Sequence, residues 1–154
     1  MSDIHIDDFY RDVAKILLQL YNCFPRKSTL YVEDISGPDT PDEFGLHSDR
    51  HQACFGAMIW LAESHYIHYA DTVRQEALDQ VVLTHKAFTL LSSRATFLAA
   101  DSPQDREEQR NLPTSVKESS RTNIAQLRKA LQEGSSTALR QIVHRLMLES
   151  RHHQ

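Results

Sequence analysis

Glycine and proline are scarce in this chain, with four glycines and five prolines among 154 residues. An all-β fold or a long disordered tract normally has more of both, so neither is expected. Hydrophobic residues make up 40% of the chain, which is enough for a core. The length fits one ordinary domain, or a small domain with an appendage.

Cysteine and long apolar runs are also lacking. The two cysteines, Cys23 and Cys54, are too few for a disulfide framework. We expect two buried thiols, with a redox-sensing pair as the alternative. No run of about 18 apolar residues is present, so no transmembrane helix is predicted. The acidic N-terminus lacks the basic-then-apolar pattern of a secretory signal. These features predict a cytoplasmic protein with no membrane contact.

The chain has no basic surplus, and its net charge is −4. Residues 1–50 carry five Lys or Arg against ten Asp or Glu, whereas residues 101–154 carry nine against seven. A nucleic-acid-binding domain commonly shows a basic patch. This distribution therefore limits any DNA-binding hypothesis.

Motifs of catalysis and of metal binding are missing as well. There is no Gly-rich phosphate loop, nucleophile elbow or paired-carboxylate motif. His47 and His51 are four residues apart, so they can face the same way on a helix. No Cys-x-x-Cys or His-Glu-x-x-His pattern supplies further zinc ligands. We predict no enzyme, no catalytic residue, no cofactor and no metal site.

Helical periodicity begins near the N-terminus, where apolar residues recur from Ile6 to Phe24 at spacings of three and four. Pro25 ends this first helix. A capping box at Thr40–Glu43 predicts a very short second helix, which Gly45 ends. Ser48 or Asp49 caps a third helix that runs to about Ser64.

Short strands are predicted between and after these helices. Residues 28–35 contain a brief β-branched and aromatic run. Residues 66–69 and 78–83 are also strand-like, and the polar segment between them predicts a hairpin tip around Thr72–Ala77. Thr84 then caps a fourth helix that ends near Ala100.

The C-terminal third predicts a separate helical hairpin. Residues 101–113 lack an apolar face and are interpreted as a solvated linker. A second capping box at Ser115–Glu118 opens a helix that ends at Gly134, and a last helix runs from Ser136 to about Ser150. This hairpin cannot bury its apolar stripes alone, so we expect it to pack on the first domain or on a second copy. The predicted organisation is a domain over residues 5–100, a linker over 101–113 and the hairpin over 114–150.

This element order resembles the winged helix-turn-helix of bacterial regulators of the MarR and PadR type over residues 5–93. The resemblance lies in Leu61–Tyr69, where the recognition helix would end, and in Leu78–Leu91, where the wing leads into the next helix. His65 and Ala87 stand where those families usually have glycine. The resemblance implies a mainly α-helical winged-helix domain with a small β-hairpin.

The same resemblance implies a transcriptional regulator that binds double-stranded DNA. The start of the third helix would enter the major groove, and the hairpin tip would approach phosphate or the minor groove. The residues placed there are Ser48, Arg50, His51, Gln52, Arg74 and Gln75. Arginine and glutamine can pair with guanine or adenine edges through two hydrogen bonds. Asp49, Glu63 and Glu76 oppose this interpretation, because carboxylates repel phosphates.

Such a regulator is expected to be a homodimer. The candidate interface residues are apolar positions of the C-terminal hairpin together with one exposed aromatic: Trp60, Leu127, Leu131, Leu139, Ile142, Val143 and Leu146. An alternative function is a winged-helix protein-interaction module, a non-catalytic subunit of a larger assembly. A further alternative is a ligand-sensing regulator with Tyr10, Tyr21 and Trp60 lining a pocket.

Overall fold

A computed structural model describes residues 4–95 and 121–151 of the chain. Over these residues the protein is mainly α-helical with a small antiparallel sheet of four strands, as the sequence predicts. None of the described helices is long and apolar enough to cross a membrane. Residues up to Phe88 form one compact unit and residues from Thr89 form another. The predicted linker over residues 101–113 lies outside the described residues.

The first unit contains three helices and the sheet, and a fourth helix begins within it. The helices are α1 (Ile4–Cys23), α2 (Val32–Ser36), α3 (Asp49–Glu63) and α4 (His85–Ser92). The strands are β1 (Ser28–Tyr31), β2 (Ile67–His68), β3 (Asp71–Val73) and β4 (Ala77–Leu83). The bounds of α1 and α3 agree closely with the predicted helices.

The strand β4 is the centre of the sheet, because β1, β2 and β3 all pair with it in antiparallel fashion. Leu30 lies opposite Leu78 and Ile67 lies opposite Leu83, and all four side chains are buried. The hairpin tip is shorter than predicted. Val73 already pairs with Ala77, so the chain reverses over residues 74–76.

The helices α1 and α3 pack against each other in this unit. The buried face of α1 carries Val13, Ile16, Leu17 and Leu20. The buried stripe of α3 carries His51, Cys54, Ala57, Met58 and Leu61 at spacings of three and four. Such spacing places these side chains on one side of a helix, which is the pattern that predicted both elements.

The second helix is not where the sequence predicts it. The helix α2 spans Val32–Ser36, inside the segment predicted as strand, and Thr40–Glu43 is not helical. The reason is visible in the side chain of Asp42. Its Oδ1 atom accepts hydrogen bonds from the amides of Phe44 and Leu46, each at 2.9 Å. An aspartate that bonds nearby amides in this way stabilises a turn in competition with a helix.

Within the described part of the second unit lie the end of α4 and two further helices, α5 (Asn123–Glu133) and α6 (Ser136–Ser150). Thr122 caps α5 by accepting a hydrogen bond from the amide of Ala125. The predicted start at Ser115 lies outside the described residues; residues 121 and 122 are not helical, so α5 begins at Asn123. Gly134 ends α5 in a left-handed conformation with φ of 70°, which glycine adopts without strain. The bounds predicted for α6 are confirmed.

The helix α4 stops at Ser92 and does not continue to Ala100 as predicted. The chain becomes extended instead, and Arg94 forms a β-bridge with Thr122. The amide of Ala95 donates to the Arg121 carbonyl oxygen at 2.7 Å, and the amide of Asn123 donates to that of Ser93 at 2.9 Å. These pairings use backbone groups that a longer helix would need for itself.

Most of the apolar residues predicted for a dimer interface are buried within the single chain. Leu127, Leu139, Val143 and Leu146 are 0–3% exposed. Leu131 and Ile142 are half-buried, and Trp60 is 38% exposed. The four buried leucine and valine side chains therefore cannot form an open dimer surface in this conformation.

The two cysteines differ in a way that thiol chemistry can test. Cys54 is fully buried in α3, and burial raises the pKa of its thiol to about 12. Cys23 is only half-buried at the end of α1. Because the thiolate is the nucleophile, we expect an aromatic disulfide reagent at pH 8 to titrate one thiol in the folded protein and two after denaturation.

The matched variants identify which thiol reacts. Cys23→Ser should remove the reaction of the folded protein, and Cys54→Ser should leave it in place. Equal reaction rates for both thiols in the folded protein would contradict the burial of Cys54 in α3.

Candidate functional site

A loop over residues 37–48 precedes α3 and presents two large apolar side chains to solvent. Phe44 is 79% exposed and Leu46 is 60% exposed. The turn that Asp42 stabilises holds the backbone of both residues. Exposed apolar patches can mark interaction sites, so the loop is a candidate contact surface.

Asp39 ties the start of this loop to its end. Its Oδ2 atom accepts a hydrogen bond from the amide of Ser48 at 3.1 Å and one from Nδ1 of His47 at 2.9 Å. Hydrogen bonds from Ser48, and then from His47, lower the pKa of Asp39 from 3.8 to about 2. The carboxylate is therefore ionised at neutral pH, and it closes the loop over residues 40–46.

His47 and His51 form a stacked pair beside this carboxylate. Their ring centroids are 3.7 Å apart and the ring planes differ by 6°. His47 lies in the loop, and His51 lies in the first turn of α3. Ser48 separates them as the helix cap, since its side chain accepts a hydrogen bond from the amide of His51 at 3.2 Å.

The hydrogen bonding of His51 places a proton on one of its two ring nitrogens. Nε2 of His51 lies 2.8 Å from the carbonyl oxygen of Gln75, which can only accept, so Nε2 carries a proton. The residue is 2% exposed. Its Nδ1 atom is buried and has no hydrogen-bond partner within the described ranges. That atom lies 4.0 Å from Oδ2 of Asp39.

Asp39, His47 and His51 thus bring three potential metal ligands together, and one ligand atom from each lies within 4.8 Å of the others. Glu76, at the hairpin turn, adds a carboxylate oxygen 3.7 Å from Nε2 of His47. Two imidazoles and a carboxylate are a common ligand set for first-row transition metals. The sequence indicated only the two histidines, because Asp39 approaches them through the fold of the loop and not through a local spacing.

Arg50, predicted to contact a DNA base, is instead paired with a buried carboxylate of α1. Its guanidinium donates two hydrogen bonds to the carboxylate of Asp12 in α1, at 2.7 and 2.5 Å. Nε of Arg50 also lies 3.6 Å from a carboxylate oxygen of Asp8. The hydrogen bonds with Asp12 raise the pKa of Arg50 above its usual range. The Asp12 carboxylate is 1% exposed, so this pairing competes with any contact to a base edge.

The other residues predicted to contact DNA have different structural roles. His51 is buried, which corrects its prediction as a base reader. Ser48 caps α3, and the side chain of Gln52 donates to the carbonyl oxygen of His47 at 2.8 Å. Arg74 and Gln75 are exposed at the hairpin turn, with Arg74 in a left-handed conformation at φ of 53°.

The predicted pocket aromatics belong to two separate ring clusters. Tyr10 contacts Phe9, and Phe9 contacts Trp60 edge to face at 5.3 Å between centroids. Tyr21 instead stacks on Phe88 at 6.0 Å. Rings that pack on one another in this way fill space between helices, which does not favour the ligand-pocket alternative.

Comparison of the chain with models of protein families, with curated protein sequences and with solved structures gives no match. The function is therefore argued from the geometry of the described residues.

The buried pair of Asp12 and Arg50 generates a stability prediction. Removing the cation leaves a buried carboxylate without its partner, which strongly destabilises a fold. Because Arg50 remains one-third exposed, solvent screens the ion pair and reduces the stability lost with it. We expect Arg50→Ala to lower the free energy of unfolding by about 2–3 kcal/mol. Urea denaturation measures this change.

Asp8→Asn is the matched control. Its side chain is 31% exposed and 3.6 Å from Arg50, so its loss should cost less than about 1 kcal/mol. Equal effects of the two variants would contradict the dominance of the Asp12 contact.

Proposed function

We propose that the first unit is a winged-helix domain that acts as a protein-interaction module, a non-catalytic part of a larger assembly. The order of its elements supports the fold: helix, short strand, short helix, longer helix, strand, hairpin and helix. Winged helices also serve as protein-interaction modules, so this order leaves the function to be argued from the site. We also propose a cytoplasmic location, where the free Cys23 and Cys54 remain reduced.

The ion pair of Arg50 is the observation that carries this proposal. Within α3, Arg50 is the one Lys or Arg, and Asp12 and Asp8 neutralise it. The exposed groups near the start of α3 include the carboxylate of Asp49, with Asp42 and Glu43 in the preceding loop. A surface of this sign repels a phosphate backbone, and groove binding depends on attraction to that backbone.

The same loop offers the surface that a protein partner would contact. Phe44 and Leu46 are the most exposed large apolar side chains of the loop, and both follow the carboxylates of Asp42 and Glu43. Aromatic side chains in the centre of an interface contribute most of the binding energy. Acidic neighbours favour a partner with complementary positive charge. The partner is therefore inferred to present an apolar pocket bordered by lysine or arginine.

A DNA-binding homodimeric regulator is the second candidate. The exposed Arg74 at the hairpin turn and the partly exposed Trp60 favour it. In that case Arg74 contacts phosphate or the minor groove, and two copies bind half-sites one helical turn apart.

The two functions predict opposite results in a pair of binding experiments. We expect the purified protein to leave duplex DNA from its own upstream region unshifted at physiological salt. Affinity capture from a host lysate, quantified by mass spectrometry, should recover a partner that Phe44→Ser with Leu46→Ser reduces at least about tenfold, since hot-spot side chains contribute several kcal/mol. Leu148→Ser, which alters another exposed leucine, is the matched control and should leave the recovery unchanged.

A salt-dependent DNA shift that Arg74→Ala weakens would overturn this proposal in favour of the regulator. Arg74→Ala is the sharper test than Arg50→Ala, because loss of Arg50 also breaks the ion pair with Asp12. Light scattering of the full chain then decides whether the shifted species is a dimer.

A further inference from the structure

We propose that Asp39, His47 and His51 bind a divalent transition-metal ion such as zinc, for which two imidazoles and one carboxylate are a known ligand set. The three side chains come from the two ends of one loop and the first turn of α3. This inference concerns the ion alone and holds whether the partner is protein or DNA.

The unpaired nitrogen of His51 is the strongest argument for a ligand at this position. Leaving a buried polar atom without a partner costs free energy. Nδ1 of His51 is such an atom, and it lies 4.0 Å from the ionised carboxylate of Asp39. The neutral tautomer that donates from Nε2 to the Gln75 carbonyl oxygen has a free lone pair on Nδ1. A cation between this lone pair and the carboxylate relieves their electrostatic repulsion.

The distances suit a small metal ion after modest adjustment. Zinc bonds of about 2.0–2.2 Å in tetrahedral geometry place neighbouring ligand atoms about 3.3 Å apart. The Asp39 oxygen lies 2.9 Å from Nδ1 of His47 and 4.0 Å from Nδ1 of His51. These two distances bracket the required value, so each needs to change by less than an ångström to reach it.

His51 already has the kind of outer partner that a metal-bound histidine uses, and a carboxylate lies near His47. A ligating imidazole almost always donates its other N–H to a carbonyl or a carboxylate, which orients the ring. His51 donates to the backbone carbonyl of Gln75. Nε2 of His47 faces a carboxylate oxygen of Glu76 at 3.7 Å. The hairpin turn therefore supplies a hydrogen-bond acceptor to His51 and places a carboxylate near His47.

Binding requires one defined rearrangement at His47. A metal lies in the plane of each imidazole that binds it, whereas the two rings are now stacked with 6° between their planes. His47 must tilt, and its proton must move from Nδ1, where Asp39 accepts it, to Nε2, which faces Glu76. His47 lies in the loop ahead of α3, so it can tilt without disturbing the helix.

A metal at this position would also order the loop that carries Phe44 and Leu46. Asp39 and His47 bracket residues 40–46, so one ion bound to both residues closes the loop at its base. If the proposed interaction function is correct, metal binding pre-organises the partner surface and lowers the entropy cost of association. This consequence rests on the proposed function, but the metal site itself does not.

The test is metal binding by the full chain with His152→Gln and His153→Gln, so that the C-terminal pair of histidines does not contribute. Zn²⁺ titration by calorimetry should show one ion per chain, and Co²⁺ should give the visible absorption of a four-coordinate site. Asp39→Asn and His47→Gln should each weaken binding at least about tenfold. His68→Gln and His144→Gln, which remove exposed imidazoles elsewhere, should have no effect.

Imidazole NMR of the unmutated site keeps the inference testable even if a variant misfolds. Added Zn²⁺ should shift the ring resonances of His47 and His51 before those of the other histidines. No binding at 100-fold excess of Zn²⁺ over protein, or binding that leaves those two rings unshifted, would overturn the proposal. None of these measurements uses a partner or DNA, so a failure of the proposed function leaves their outcome unaffected.

Discussion

A buried carboxylate in α1 is the constraint on which the start of α3 depends. Asp12 is 1% exposed, and a carboxylate in such surroundings needs a cation and hydrogen-bond donors nearby. Arg50 supplies both through two hydrogen bonds. Since Arg50 is the second residue of α3, this pairing fixes the first turn of that helix against α1. This pairing also positions Ser48, two residues before Arg50, and His51, the residue after it.

The hairpin depends on the same turn of α3. His51 donates to the carbonyl oxygen of Gln75, so the hairpin tip is bonded to the helix by a buried side chain. The residues that a groove-reading helix would direct at DNA are directed here at the chain's own elements. Arg50 points to α1, His51 to the hairpin and Gln52 to the loop backbone. The first turn of α3 thus serves as a junction between three elements of the first unit.

The sequence predicted those parts of the fold that depend on periodicity and local capping. The apolar spacing of α1 and α3, the cap at Ser48 and the glycine stop at Gly134 are all local signals, and each is present in the structure. The prediction at Thr40–Glu43 was wrong because its capping-box pattern competes with the turn that Asp42 forms. Propensity alone does not decide that competition.

The candidate site was less accessible to sequence reasoning, for a physical reason. His47 and His51 were recognisable as a pair four residues apart, but Asp39 is brought to them by loop closure and Gln75 by strand pairing across the hairpin. Arg50 looked available because its partner is 38 residues earlier in the chain. Contacts between residues so far apart in the sequence depend on tertiary packing. The spacing of residues within one segment does not predict them.

The proposed ion and the proposed partner are linked through charge. The start of α3 and its loop carry several carboxylates, among them Asp39, Asp42 and Asp49. A bound divalent cation offsets two of these negative charges, which weakens long-range attraction to a basic protein but also weakens repulsion of a phosphate backbone. For a protein partner, closure of the loop around Phe44 acts in the opposite direction to this charge effect. High salt screens the charge effect, so metal added at high salt reports only the ordering of the loop. Under that condition the metal strengthens a contact made through Phe44 and leaves a phosphate contact through Arg74 unchanged.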